Sequence, residues 1–200
     1  MGICQHVSVN FSLLAASVTK PDTAFFAVLA IIAVVLGLAF LVIWYWGGNR
    51  GAALAARCGQ YARPLAAAIA SVATAGSLYF SEIREFEPCR WCWYQRIMWF
   101  PLALLLVVSV WKKDRTARRY MWPPVVVGIV IASYHHLIER YPDLADAASC
   151  NAAVPCTSPY FRVWGQITIA AMSLMGLVAI ACLLWVDRAW DAHSAERKQI

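Results

Sequence analysis

The residues with chemistry to offer gather in Glu87-Pro-Cys-Arg-Trp-Cys-Trp-Tyr-Gln-Arg96, where two cysteines stand two residues apart as a polar connection enters an apolar segment. Pro88 suits a first helical position, so the spacing predicts Cys89 and Cys92 one turn apart on one face at a helix N-terminus. Unsatisfied amides and the positive end of the helix dipole favour a thiolate there, as does the cation of Arg90 between the two. A C-x-x-C pair in that setting reads as redox-active. Arg96 follows Cys92 by four residues, which puts a guanidinium on the same face, turned to the protein interior or the membrane surface rather than to lipid tails.

A second pair, Cys150 and Cys156, lies in the loop from Arg140 to Arg162, and Cys4, Cys58 and Cys182 complete the seven. The last three read blandly: Cys182 as a small core or lipid-depth residue, Cys58 as a reduced cytosolic thiol, Cys4 as a terminal one. For the two pairs three readings stand: two static disulfides, one four-sulfur zinc site, or exchange of electrons between the pairs. A C-x-x-C disulfide closes a loop too small to constrain the unfolded chain much, so such rings usually work by opening. Zinc needs four thiolates converging tetrahedrally, which the spacing permits but Trp91 and an oxidising compartment disfavour. Exchange is the reading the residues favour, and it requires a supply of electrons at one end and a sink at the other.

The elements that must position these groups are membrane spans. Of 200 residues 62% are hydrophobic and only 14% charged, with 10 Trp, far from the roughly half apolar and one-quarter charged balance of soluble domains. The net charge of +6 sits in short connections between apolar runs, which speaks for orientation in a bilayer and against nucleic-acid binding. Residues 1–22 lack a charged n-region and a small-residue cleavage site, and read as a retained segment. Thr23 to Trp46 is an extra transmembrane helix, 47–63 a basic loop, 64–186 a run of four apolar helices, and 187–200 a charged tail. The expected fold class is all-α, a four-helix transmembrane bundle plus one extra N-terminal helix.

Orientation follows from the basic residues. The loops 47–63 and 112–119 with the tail from 187 hold 11 Lys and Arg, the opposite connections hold 5 and Arg96 lies within a helix, so the first set is expected on the cytoplasmic side. Both cysteine pairs and the N-terminus then face the other compartment, where disulfides persist. An electron acceptor meeting Cys92 and Arg96 at the membrane boundary should be lipid-soluble, with an anionic reduced form that a fixed cation stabilises; a quinone fits. Trp91, Trp93, Tyr94 and Trp99 are candidates to pack its ring or to form an interfacial belt. Tyr134, His135 and His136, at the end of the next helix, are candidate hydrogen-bond donors to its headgroup.

Taken together, Pro88-Cys-Arg-Trp-Cys-Trp-Tyr-Gln-Arg96, the Tyr134-His-His136 helix end, the Cys150/Cys156 loop and the order of apolar segments from Pro64 to Val186 resemble the disulfide bond formation protein B (DsbB) family, closest in pattern to its BdbC-like branch. The resemblance covers about the C-terminal two thirds. It implies a four-helix bundle in a bacterial cell (inner) membrane, in contact with membrane lipid. It also implies a thiol:quinone oxidoreductase that uses ubiquinone or menaquinone to reoxidise an extracytoplasmic DsbA/BdbD-like thioredoxin-fold thiol oxidase. Carried over by position, Cys150 meets the partner, Cys156 exchanges with Cys89, and Cys92 reduces the quinone, with Arg96 and His136 near its headgroup. Two departures stand out: Cys150 and Cys156 are closer together than in the best-known proteobacterial members, which leaves the order of attack open, and the helix Thr23–Trp46 has no counterpart in the pattern. The other readings are a vitamin K epoxide reductase-like enzyme, whose motif sits late in its bundle, and a non-catalytic zinc-binding membrane protein.

Overall fold

Pro21 opens the first helix of the computed structural model, which describes residues 21–46, 59–145 and 155–196. This helix, α1 (Pro21–Trp46), has 26 residues, about 39 Å at 1.5 Å per residue, enough to cross a hydrocarbon core of about 30 Å. Proline is pre-set for a first position, and Asp22 in the first turn complements the dipole. The chain continues through α2 (Ala62–Leu78), α3 (Arg90–Trp111), α4 (Arg118–Arg140) and α5 (Ile169–Glu196). All five are long and apolar enough to span a membrane. The chain is an all-α integral membrane protein; among the described residues the one extended pairing is the isolated bridge between Val163 and Ile167.

Helices α2 to α5 close a ring in which each packs on the next and α5 returns to α2, while α1 lies outside it against α5. Leu102, Leu106, Met121, Val125, Leu177, Ile180 and Leu184 fill the ring and are fully buried. Small residues bring α1 in close. A Cβ on Gly37 would stand 3.1 Å from the Ala179 Cα and 3.3 Å from its carbonyl oxygen, so the two backbones approach as only glycine allows. Cys182 is buried in α5 beside Gly37, whereas Cys4 and Cys58 fall outside the described residues.

Three helix ends depart from the expected boundaries. Cys89 is the N-cap of α3 in an extended conformation (φ −66°, ψ 171°), with the first helical residue at Arg90, so Cys89 stands before the helix instead of on its face. α4 begins at Arg118, a turn ahead of Pro123 and Pro124, because Arg118 is anchored to Asp187 and Asp191 of α5 at 2.8 and 2.6 Å. α5 begins only at Ile169, since Val163 and Ile167 bond each other in a tight turn that carries Trp164 and Gly165 through positive φ; Thr168 then caps the helix by accepting from the Ala171 N–H at 3.2 Å.

Beyond Val186 α5 runs on to Glu196. Asp187, 1% exposed, receives Arg63 at 3.1 Å and Arg118, and Asp191 pairs with Arg115 and Arg118. Arg63 also donates to the Asp114 carbonyl at 2.8 Å, and Arg115 lies over the Trp190 ring at 3.8 Å. Paired charge lets the helix continue past the apolar run, and it joins α2, α4 and α5 at one end of the bundle, the basic end.

At the opposite end α2 loosens into a π-turn, Tyr79–Ile83, and the chain turns through Glu85 at φ 55°. Widened turns of this kind often mark functional sites. Phe86 stacks on Tyr160 at 4.5 Å, and the Tyr160 hydroxyl donates to the Glu87 carbonyl at 2.8 Å. The connection into α3 is thereby clamped to the segment that carries Cys156.

Candidate functional site

Three cysteines meet at this end. Cys89 and Cys156 are buried against each other and Ile138, and Cys92 is half-buried beside them. The Cys89 and Cys92 sulfurs are 2.9 Å apart, and Cys89 Sγ accepts from the Cys92 N–H at 3.4 Å, the N-cap bond of the helix. The thiol of Cys89 is pushed up to about 12: the hydrogen bond with Cys156 draws it down, but the one with Cys92 and burial outweigh it. The thiol of Cys156 is pushed up as well, first by its hydrogen bond with Cys89 and then by burial. Protons are therefore held at Cys156 and Cys89, contrary to the thiolate that the dipole alone predicts for Cys89. Cys150 lies outside the described residues.

Behind the sulfurs stands a polar group on α4. His135 is 2% exposed; its Nδ1 meets Gln95 Nε2 at 3.2 Å, and its Nε2 is 3.7 Å from Cys89 Sγ and 3.8 Å from Glu139 Oε1. Nδ1 thus shares a hydrogen bond with the Gln95 amide, which fixes the ring so that Nε2 faces Cys89 and Glu139. Glu139 is buried and takes the Thr168 hydroxyl at 2.6 Å.

On the other side Cys92 lines an apolar cavity of about 360 Å³ between α1, α2, α3 and α5, together with Gln95, Arg96, Ser77 and Trp99. That volume is in the range of small-molecule sites. Arg96 donates to the Ser77 hydroxyl at 3.0 Å and carbonyl at 2.9 Å, and lies 5.3 Å from the centre of the Trp93 ring. Among the described residues no carboxylate pairs with it. Glu87 lines the same cavity, so its polar end carries charge of both signs.

Cys89, Cys92, Cys156 and Arg96 thus converge, but the helix end on α4 divides differently. His135 lies on the Cys89 side, His136 is half-buried with its Nδ1 3.8 Å from Glu139, and Tyr134 packs on Trp91 and donates to the Leu144 carbonyl. None of the three lines the cavity. Of the four aromatic candidates only Trp99 does, held by Ser173 at 2.8 Å, while Trp93 and Tyr94 are exposed. Gln95 and Glu139 are functional candidates that spacing alone left unnoticed. The signal was there: Gln95 falls three residues after Cys92, and Glu139 four after His135, each one helical turn on.

A metal is the other occupant these donors admit. Ligand atoms of Cys89, Cys92 and His135 all lie within 4.8 Å of one another. The residues would also fit a quinone: the Cys92 sulfur, the Arg96 guanidinium and apolar walls surround one cavity.

A family model described as disulfide bond formation protein DsbB matches residues 59–187, a stretch that contains α2 to α4, Cys89, Cys92, Cys150 and Cys156. The chain is 39% identical over 119 residues to disulfide bond formation protein C of Bacillus subtilis, covering 58% of this chain and 86% of that one. It is 41% identical over 122 residues to probable disulfide formation protein C 1 of Bacillus anthracis, covering 61% and 88%. A probable disulfide formation protein of Deinococcus radiodurans is 38% identical over 130 residues, covering 60% and 84%. No solved structure matches the chain. The chain belongs to the DsbB family of disulfide-generating membrane oxidoreductases.

Proposed function

We propose that the protein oxidises the dithiol of a thioredoxin-fold thiol oxidase and delivers the electron pair, through Cys150/Cys156 and then Cys89/Cys92, to a membrane quinone, ubiquinone or menaquinone, in the cavity beside Cys92. One observation carries the proposal: Cys92 shares one contact with Cys89 and the next with the cavity, so it can take electrons on one side and give them on the other. The partner's dithiol reduces the Cys150–Cys156 disulfide and leaves as a disulfide. A thiol of that pair attacks the Cys89–Cys92 disulfide at Cys89, its neighbour, and frees Cys92 as the leaving thiolate. The pair Cys150/Cys156 closes again as Cys89 departs as a thiol. When bound, a quinone supplies a two-electron, two-proton sink. Cys92 and Cys89 close on losing the electron pair, Arg96 holds the developing negative charge, and His135 with Glu139 takes or returns the proton of Cys89.

Placing both cysteine pairs on the extracytoplasmic face of a bacterial cell membrane belongs to the same proposal. The 11 to 5 excess of basic residues at the opposite end supports it.

The test is the free-thiol count of the reduced, purified protein before and after quinone. The expected result is loss of the thiols of both pairs in the native chain and retention of them in Cys92→Ala. The second reading, a zinc site, rests on the clustering of Cys89, Cys92 and His135; it predicts stoichiometric zinc in the same sample and no thiol lost to quinone, and that result would replace the relay.

A further inference from the structure

Helix α1 lies outside the family match, which begins at residue 59, yet it supplies a wall of the cavity. Its contribution centres on a stripe, Phe26, Ala30, Ala33, Gly37 and Phe40, spaced by three and four residues on one face, with Leu29, Ile32 and Leu36 flanking it. The stripe runs about 21 Å along the helix axis from the cysteine end toward the membrane interior.

Among the described residues α1 comes close to α2 at the cysteine end. At the cysteine end Asp22 pairs with Arg84 and accepts from the Tyr79 hydroxyl at 3.2 Å. A turn deeper the Phe26 ring stands where a Gly76 Cβ would be, at 2.9 Å. Below that, α1 stays on α5 through Gly37, and the small residues Ala30 and Ala33 leave the space toward Val72 and Ala73 of α2 unfilled. The polar lining, Cys92, Gln95, Arg96 and Glu87 with Ser77, Ser81, Tyr160 and Ser173, stands with the cysteines, and the lining along Ile32, Leu36, Phe40, Leu65 and Leu183 is apolar.

We infer that α1 encloses the polyprenyl tail of the quinone, turning an open face of the four-helix ring into a channel that admits the tail and sets the headgroup against Cys92. The inference rests on the quinone reading above. A polyprenyl chain is the occupant the shape selects: the apolar passage is continuous with Cys92 and the Arg96 guanidinium, and a ligand that uses both ends must be polar at one and long and apolar at the other. In a bilayer the tail gains little by leaving lipid, because its surroundings are already apolar. The channel therefore acts by fit and direction, and a side chain that fills it should exclude the tail without touching the headgroup.

The experiment uses the full oxidised chain in nanodiscs, where both cysteine pairs are closed and no electrons move, and follows quenching of tryptophan fluorescence by a tail-less and a long-tailed quinone, each titrated as a mole fraction of lipid. Ala33→Phe should weaken the long-tailed quinone about tenfold or more and leave the tail-less one within about twofold. Val35→Phe, on the exposed face of α1, should change neither. Equal binding of the long-tailed quinone by the native chain and Ala33→Phe overturns the role of α1 while leaving the quinone site standing. Loss of both ligands from Ala33→Phe overturns it too, since α1 then acts on no tail in particular. Failure of the native chain to bind either quinone removes the quinone reading itself.

Discussion

Cys89 and Cys92 are three residues apart and chemically unlike, because one is sealed under Cys156 and Ile138 and the other opens on the cavity. The seal has a pH signature. Folding raises the Cys89 thiol to about 12, so the folded reduced protein favours the protonated thiol. This contribution to stability is fully present below the thiol's ordinary value and is lost as pH rises through the folded one. The oxidised protein has no such thiol to titrate. The melting temperature of the reduced form should fall relative to the oxidised form between pH 9 and pH 11 and run parallel to it below pH 8. His135 supplies a second test at this scale. With its Nε2 3.7 Å from Cys89 Sγ, it is placed to move the proton that exchange at Cys89 requires. His135→Ala should slow single-turnover exchange between the two pairs by about 10²-fold, while His136→Ala, whose ring faces Glu139 and not a sulfur, should leave it near native. Equal losses in both variants would assign the pair a structural part only.

At the scale of elements, the fit of α1 on α5 depends on Gly37. Replacing it with leucine forces a side chain into backbone 3.1 Å away, and the expected cost is about 1 to 3 kcal/mol, read as a lower melting temperature. Ala39→Leu, an exposed neighbour on the same helix, is the control that should not move it. The spans themselves were legible because twenty-odd apolar residues have one common explanation in a bilayer. So was the convergence of Cys92 and Arg96, which a helical turn dictates. What local spacing did not carry was tertiary. Cys89 steps out of the helix because its sulfur caps it. Which histidine faces the sulfurs depends on the rotation of α4 against α3, set by packing at Ile138 and Gln95. The far end of α5 extends because partners for Asp187 arrive from α2 and α4, over 60 residues away in sequence.

Across the whole molecule the two ends are built on opposite principles. The cysteine end is held by stacked aromatic rings, two tyrosine hydroxyls, a π-turn and the half-buried Asp22–Arg84 pair, contacts that the proposed relay could shift without unfolding the bundle. The basic end is locked by buried charge. Asp187 is almost wholly buried between Arg63 and Arg118, and removing one partner of such a cluster strands the others. Asp187→Ala leaves the buried Arg63 without a carboxylate and Arg118 with Asp191 alone, at a cost of about 3 to 5 kcal/mol. Since α5 also forms a wall of the cavity, it matters whether the damage travels. The thiol exchange groups lie at the other end of a helix about 42 Å long, and none of them touches the charged cluster. The thermal midpoint of Asp187→Ala should drop, while the rate of exchange per folded molecule, measured well below that midpoint, should stay native. A proportional loss of both would mean that the ends are coupled through α5, and that the basic end belongs to the catalytic machinery as well as to the scaffold.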